Sequence, residues 1–268
     1  MLKTRSIFTQ AVRAGERGPR PDYRPVSTPI HHSVGYTYDA MEDLDGIFGE
    51  EREGYVYPRY GSPTVGAYEQ AIAILEDAED AVAFSSGMAA VHAALLGAGV
   101  RAGTSVVAAA DVYGATYALL EQMLTEMGVR VRFVDIADLN QVAEAIAGEH
   151  PVAVICEIMS NPLIKVADVP ALTQLAHDSG AALVVDATFA SPFLYRPLNY
   201  GVDYSVHSAT KYLSGHGDVL AGVVACSARR GQDLRQRQKL LGANLGPQEA
   251  WLALRGLKTL PLRMRQHC

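Results

Sequence analysis

"AVAFSSGMAAVHAALLGAG", residues 81–99, decides the fold. Four apolar residues run into a Ser-Ser-Gly turn, and a segment rich in small apolar residues follows. This order predicts a short buried strand, a tight turn and a helix. One such unit fits many folds, so the decision rests on whether the chain repeats it. Residues 104–128, "TSVVAAADVYGATYALLEQMLTEMG", give a strand and then a helix again. "VRVRFVDI" (129–136) alternates as a strand does, and a helix is predicted around 139–148. "VAVICE" (152–157) and "AALVVDA" (181–187) read as buried strands, with a helix between them that ends at Gly180. Upstream, "GSPTVGAYEQAIAILEDAED" (61–80) predicts a helix capped by Ser62 with Pro63 in its first turn. Strands alternating with helices imply an α/β fold, a mostly parallel sheet with helices on both faces. Such sheets bind ligands beyond the carboxyl ends of their strands, which is where functional residues are to be sought.

Composition narrows the class. The chain has 268 residues, 49% hydrophobic and 19% charged, an ordinary globular mixture with room for a core and one or two domains. A net charge of −6 gives no reason to expect nucleic acid or a membrane surface as partner. The basic run "ARRGQDLRQRQK" (228–239) is interrupted by Gln and Asp and reads as a solvated helix face rather than a phosphate-binding patch. Cys156, Cys226 and Cys268 are odd in number and widely spaced, so a disulfide framework is not expected and the cytoplasm fits best. No His, Cys and Asp cluster has metal-ligand spacing, so no metal is expected. The N-terminus lacks the apolar stretch of a signal peptide, and no run reaches the roughly 18 apolar residues of a membrane span. Residues 1–54 read as an irregular arm, because Pro19, Pro21, Pro25 and Pro29 interrupt any helix and "EEREG" marks a polar turn.

Each strand end then carries a residue with two readings. After "AVAF", Ser85 or Ser86 caps a helix, and Gly87 lets backbone approach a ligand. The free N–H groups of that helix start suit a phosphate, but Ser and Gly there also serve simply as a cap. Tyr113 follows the second strand, either to stack on a planar ligand or to fill the core. Asn161, before Pro162, forms a turn or bonds a ligand oxygen. Asp186 ends a buried apolar run and needs a partner, whether a metal, a cationic side chain, a protonated ring nitrogen or a helix N-cap. In "HSATKYLSGHGDVLAG" (207–222), Lys211 follows the hydroxyls of Ser208 and Thr210. Those hydroxyls suit a phosphate, and a neutral lysine amine reacts with an aldehyde. Singly, each signal has an ordinary structural explanation. Their joint order fits one ligand that carries a phosphate, a pyridinium and an aldehyde, pyridoxal 5'-phosphate.

With these residues in view, the sequence resembles the Cys/Met-metabolism, or trans-sulfuration, family of pyridoxal-phosphate-dependent enzymes. The resemblance runs from about residue 57 to 267, through "YPRYGSPT", "SSGMAA", "DVYGATY", "SNPL", "VVDATFASP", "HSATKYLSGHGDVLAGVV" and "WLALRGLKTLPLRM". It implies the fold type I large domain over 55–245, preceded by the arm 1–54. Residues 246–268 would form a connecting helix to a smaller C-terminal domain, which in the family carries the arginine for the substrate carboxylate. The same resemblance gives Lys211 the covalent link to the cofactor and the proton shuttling, with Tyr113 stacked on the ring and assisting catalysis. Asp186 is implied at the pyridine nitrogen and Asn161 near the phenolic oxygen. Gly87, Met88, Ser208 and Thr210 are implied at the phosphate. Tyr57 and Arg59 match a pair that reaches the phosphate in the neighbouring subunit, so a homodimer or homotetramer with shared sites is expected.

The implied activity is elimination at, or replacement of, the β- or γ-substituent of sulfur-linked or O-acylated homoserine-type amino acids, of the cystathionine γ-synthase or γ-lyase kind. A homoserine-ester sulfhydrylase or methionine γ-lyase is the next reading. A fold-related aminotransferase and a cofactor-binding remnant without catalysis are the remaining ones. The chain departs from the family pattern at Ala187 in "VDATF", Ala115 in "YGAT" and Gly217 in "GHGD". Methionine γ-lyases often carry a cysteine at the Ala115 place. In "EAWLALRGLKTLPLRM" (249–264), Trp251, Leu252, Leu254, Leu257, Leu260 and Leu262 offer more apolar surface than one helix face needs, so part of it is expected to face another domain.

Overall fold

The computed structural model describes residues 25–49 and 51–268. Pro19, Pro21 and most of the first half of the expected arm lie outside the described residues. The rest of the arm is not wholly irregular. Its prolines end at Pro29, and Met41–Phe48 forms a helix, α1, with Glu42 and Asp43 in its first turn, where negative charge suits the helix dipole. The arm is also pinned to its own chain. Thr64 Oγ1 accepts the His31 amide and donates to the Pro29 carbonyl, both at 2.9 Å, and Trp251 Nε1 donates to the Thr28 carbonyl at 3.0 Å.

The core of the fold is a seven-stranded sheet. In chain order the elements are α2 (Pro63–Glu76), β1 (Asp80–Phe84), α3 (Gly87–Gly97), β2 (Ser105–Ala109) and α4 (Gly114–Ala118), which continues as a π-helical turn over Leu119–Leu124. Next come β3 (Arg130–Val134), α5 (Leu139–Glu149), β4 (Ala153–Glu157), α6 (Val169–Asp178), β5 (Ala182–Asp186) and the short α7 (Ser191–Leu194). The chain ends with β6 (Tyr204–Ser208), β7 (Gly222–Cys226), α8 (Ala228–Leu241), α9 (Pro247–Leu257) and α10 (Leu260–His267). The spatial order is β1-β7-β6-β5-β4-β2-β3, and only β7 runs against its neighbours. The mostly parallel sheet is therefore as predicted, with two strands, β6 and β7, that the periodicity did not flag. Ser62 occupies the N-cap position of α2, but its hydroxyl makes no capping bond and is buried without a partner among the described residues.

Alternation along the strands divides the core between the two faces. Val82, Val106, Ile155, Val184 and Val206 pack under α3. On the other face, Val154, Leu183 and Val185 meet α5 and α6, while Ala83, Val223 and Ala225 meet α2, α9 and α10. Residues 246–268, read as one connecting helix, form two. They also lie closer to the sheet than their apolar count suggested. Ala250, Ala253, Leu257, Leu260 and Met264 are buried in that second face, Trp251 is partly covered, and Leu262 remains 68% exposed. The chain's own core thus takes much of the surface expected to face another domain.

The basic run 228–239 forms α8, and the solvated-face reading holds for only part of it. Arg235 reaches Glu69 at 2.9 Å and Asp80 at 2.7 Å and donates to the Ala81 carbonyl at 2.8 Å. Gln238 donates to the Ala83 carbonyl at 2.7 Å, and Glu69 accepts the Ala83 amide at 2.8 Å. These are the backbone groups that β1 does not share with β7, so the polar face of α8 completes the hydrogen bonding of that strand. Arg230 likewise turns inward, to Asp203.

One close approach sets the top of the sheet. An added Cβ on Gly222 would come within 2.1 Å of the Ser86 carbonyl oxygen and 2.8 Å of the Gly87 nitrogen. An added Cβ on Gly87 would come within 2.8 Å of the Ser208 Cβ. The turn after β1 thus rests directly on β7 and β6. Gly222→Ala should therefore destabilise the protein by about 2–3 kcal/mol in urea unfolding, because backbone has to move. Gly148→Ala, in α5 with nothing within 4 Å of the new methyl, should instead gain about 0.5–1 kcal/mol. Equal effects at the two positions would contradict the packing described.

Candidate active site

The carboxyl ends of the parallel strands meet at one margin of the sheet, and a cavity of about 240 Å³ opens there. At one end of it stands the start of α3. Of the two candidate capping serines, Ser86 takes the role, its Oγ accepting the Ala89 amide at 3.1 Å. The amides of Gly87 and Met88 lie in the first turn, where a helix offers them no acceptor, and both residues line the cavity. Ser208 and Thr210 line it from β6 and the turn beyond. The Thr210 hydroxyl is already engaged, accepting the Ala221 amide at 3.1 Å and lying 3.3 Å from the Ala221 carbonyl. The Ser208 amide is held by Thr188 Oγ1 at 2.8 Å. Four groups suited to an anion therefore converge, though Thr210 brings less free hydrogen-bonding capacity than its sequence position implied.

Lys211 lines the same cavity. Its backbone is fixed by a turn in which its amide donates to the Ser208 carbonyl at 3.1 Å and its carbonyl accepts the Gly215 amide at 2.8 Å. The amine has no hydrogen bond or ion pair with any other described residue. Tyr113 is 50% exposed and lines the cavity, which removes the core-filling alternative. Asn161 sits in the turn after β4, as its first reading has it, and lines the cavity as well. Tyr57 and Arg59 do not join this group. They are exposed on the 3-10 turn Pro58–Tyr60, with the Arg59 guanidinium 5.0 Å from the Tyr57 ring centre.

Asp186 sits two residues beyond Val184, on the α3 side of β5. Its Oδ1 accepts the Thr188 amide at 2.9 Å, a local turn bond rather than a salt bridge or a helix cap. Beside it, in register on β4, lies Glu157. The residue was not singled out in the sequence, although the argument that flagged Asp186, a carboxylate ending a buried apolar run, applies equally to "VAVICE". Thr188, which ties Asp186 to Ser208, was missed as well; a threonine two residues past an aspartate is the one hint of it. Burial disfavours charge on both acids and raises both. Asp186 is pulled back by the Thr188 bonds and by His207. Glu157 is pushed up to about 7, by burial first and by Asp186 second, against the hydrogen bonds it accepts from Tyr113 and Asn161. A positive charge brought beside either acid would favour its ionised form.

The pair makes stability depend on pH. A carboxyl whose folded value lies above its unfolded one contributes stability that is complete below the unfolded value and lost as pH rises through the folded one. For Glu157 the window runs from about 4.5 to about 7. In cofactor-free protein, Glu157→Gln should gain up to about 3 kcal/mol relative to the unmodified chain between pH 4.5 and pH 8. Thermal unfolding of both proteins across that range measures it, and a constant difference would show that Glu157 is not destabilised by ionisation.

Comparison with known proteins agrees with this geometry. The family described as Cys/Met metabolism PLP-dependent enzyme matches residues 8–268. The chain is 41% identical over 270 residues to an L-methionine gamma-lyase of Fusobacterium nucleatum subsp. nucleatum, covering 100% of this chain and 67% of that protein. It is 42% identical over 242 residues to a cystathionine beta-lyase of Bacillus subtilis, covering 90% of this chain and 59% of that protein. Among solved structures, a putative O-acetylhomoserine (thiol)-lyase from Campylobacter jejuni superposes with a TM-score of 0.84 at 30% identity, over 91% of this chain and 68% of that one. That structure contains N'-pyridoxyl-lysine-5'-monophosphate at its position 205. The sheet is that of the fold type I enzymes, and the chain is a member of the Cys/Met-metabolism family of pyridoxal-phosphate-dependent enzymes.

Proposed function

We propose that this chain binds pyridoxal phosphate in the cavity and acts on sulfur-linked or O-acylated homoserine-type amino acids, removing or exchanging the β- or γ-substituent. The observation that carries the reading is the convergence of the Lys211 amine, the Asp186 carboxylate and the first-turn amides of α3 on one cavity. The residues present fit the cofactor. Gly87, Met88 and Ser208, with a lesser part for Thr210, offer donors to a phosphate at one end. Asp186 offers a carboxylate whose charge a protonated ring nitrogen would restore, and Tyr113 offers a flat face. Asn161, also on the cavity wall, offers an amide that would suit the ring's oxygen. When bound, pyridoxal phosphate supplies an electron sink for negative charge developing at the substrate α-carbon.

In this reading the Lys211 amine is the group that would hold the cofactor and, when free, would serve as the proton carrier of the site. It takes the proton from the α-carbon and returns it to the product, with Tyr113 assisting. Asp186 maintains the ring's charge, and Met159, Phe189 and Leu220 on the cavity wall limit the water that reaches the reacting atoms. Elimination from cystathionine is the leading activity, consistent with the cystathionine and methionine lyases among the relatives. The exposed turn bearing Tyr57 and Arg59 supports a shared site in which these side chains reach the phosphate of a neighbouring subunit, in a homodimer or homotetramer. Arginine suits that contact through its two-pronged hydrogen bonding. Cys156, Cys226 and Cys268 are unpaired, which supports a reducing compartment such as the cytoplasm.

Borohydride reduction of the reconstituted protein should fix the pyridoxyl group on the peptide containing Lys211, and Lys211→Ala should abolish the label. A label on another lysine would sink the assignment. Turnover is to be measured on cystathionine, methionine and O-acetylhomoserine, and release of no substituent from any of them would refute the activity. For the shared site, Arg59→Ala and Lys211→Ala chains are inactive alone but should recover activity when mixed, because each hybrid dimer then holds one intact site. Demonstrated hybrids without recovery would place both residues in one subunit's site.

A further inference from the structure

Glu157 is the one acid in the cavity wall to which the proposed chemistry gives no task. Its two oxygens are nevertheless fully committed. Oε1 accepts the backbone amide of Tyr113 at 2.6 Å, and Oε2 accepts that of Asn161 at 3.2 Å. These amides belong to two different loops, one leaving β2 for α4 and one leaving β4 for the turn at Pro162. Each loop carries a side chain at the cavity. The second loop is otherwise tethered at its far side. Lys165 reaches Asp135 at 3.2 Å and Asp111 at 3.8 Å, and the Ser160 amide donates to the Lys165 carbonyl at 3.0 Å. Within its own loop each backbone has one further bond, the Tyr113 carbonyl accepting the Tyr117 amide at 2.9 Å and the Ser160 carbonyl accepting the Ile164 amide at 2.8 Å, but neither bond joins the two loops.

We propose that Glu157 is a positioning residue, a carboxylate clamp that holds the Tyr113 and Asn161 backbones in one geometry and so sets the attitude of the planar ligand between them. The inference rests on the functional reading only for the identity of that ligand; the clamp itself is a property of the chain. A carboxylate suits the task because both of its oxygens accept, whereas an amide would turn a donor toward one of the two N–H groups. Charge strengthens both bonds, and the burial of Glu157 keeps water from competing for them. The acids that face it are Asp186 on β5 and Asp111 after β2, and the Lys211 amine lines the same cavity without an ion pair to it. With two acids and no partnered cation against it, Glu157 takes up its proton near neutrality, so the clamp weakens on the acid side of pH 7.

Amide hydrogen exchange on cofactor-free protein tests the clamp without reference to activity. Glu157→Ala should speed exchange at Tyr113 and Asn161 by about fivefold or more, and Glu157→Gln should do so at one of the two, while residues 105–109 and 182–186 keep their rates. Unchanged exchange at both amides in the Ala variant would overturn the proposal. If the variants loosen the strands as well, the unmodified chain decides. Protection at the two amides, corrected for intrinsic rates, should fall as pH drops from 8.5 to 5.5, and constant protection would overturn the clamp. In cofactor-loaded protein at matched occupancy, Glu157→Ala should reduce the circular dichroism of the bound cofactor's visible band, because the ring loses its fixed attitude. An undiminished band would overturn the effect on the ligand. Failure of the unmodified chain to bind pyridoxal phosphate would sink the functional reading instead, and leave the exchange result standing.

Discussion

The rest of the site depends on a contact with no room for a side chain, where the Ser86–Gly87 peptide lies against Gly222 and Ser208. β7 is the single antiparallel strand and stands between β1 and β6. It therefore begins where its two neighbours end, and its first residue, Gly222, falls beside both carboxyl ends. With a side chain there, the turn after β1 would be lifted away from β6. Without one, the first-turn amides of α3 and the hydroxyl-bearing end of β6 face the same space. Thr188 extends the arrangement by one strand, accepting from Ser208 and donating to Asp186. A backbone packing constraint thus precedes the polar site and determines its spacing.

The two acids show how position governs chemistry. Asp186 and Glu157 are register partners at the ends of adjacent parallel strands, so their carboxyls are held side by side whatever the loops do. One, Asp186, is bonded by Thr188 just beyond its own strand and lines the cavity. The other uses both oxygens on the loops themselves. The same residue chemistry, one strand apart, makes two different sets of contacts.

What could be read from the sequence followed from what periodicity and strand-end logic can see. Buried strands with continuous apolar runs, such as "VAVICE" and "AALVV", were legible, and the residues flagged at their ends share one cavity. β6, "YSVHS", mixes Ser and His into a buried strand, because His207 is paired with Glu76 on α2 at 2.7 Å and no apolar run results. β7 was hidden inside the Lys211 motif. The inward turn of Arg230, Arg235 and Gln238 could not be inferred from "ARRGQDLRQRQK", since a charged helix face looks the same whether it meets water or an unpaired backbone. Glu157 was legible in principle by the rule used for Asp186, but its two partners are amides, which any sequence conceals.

The way α8 treats β1 has a consequence for how copies of the chain can associate. A strand at the margin of a sheet normally offers a row of open donors and acceptors on which another strand can build. Here Glu69, Arg235 and Gln238 occupy those positions on β1, and at the opposite margin β3 presents Arg130 and Arg132 in alternation. One border is chemically saturated and the other is charged. Growth of the sheet from molecule to molecule is thereby opposed at both ends.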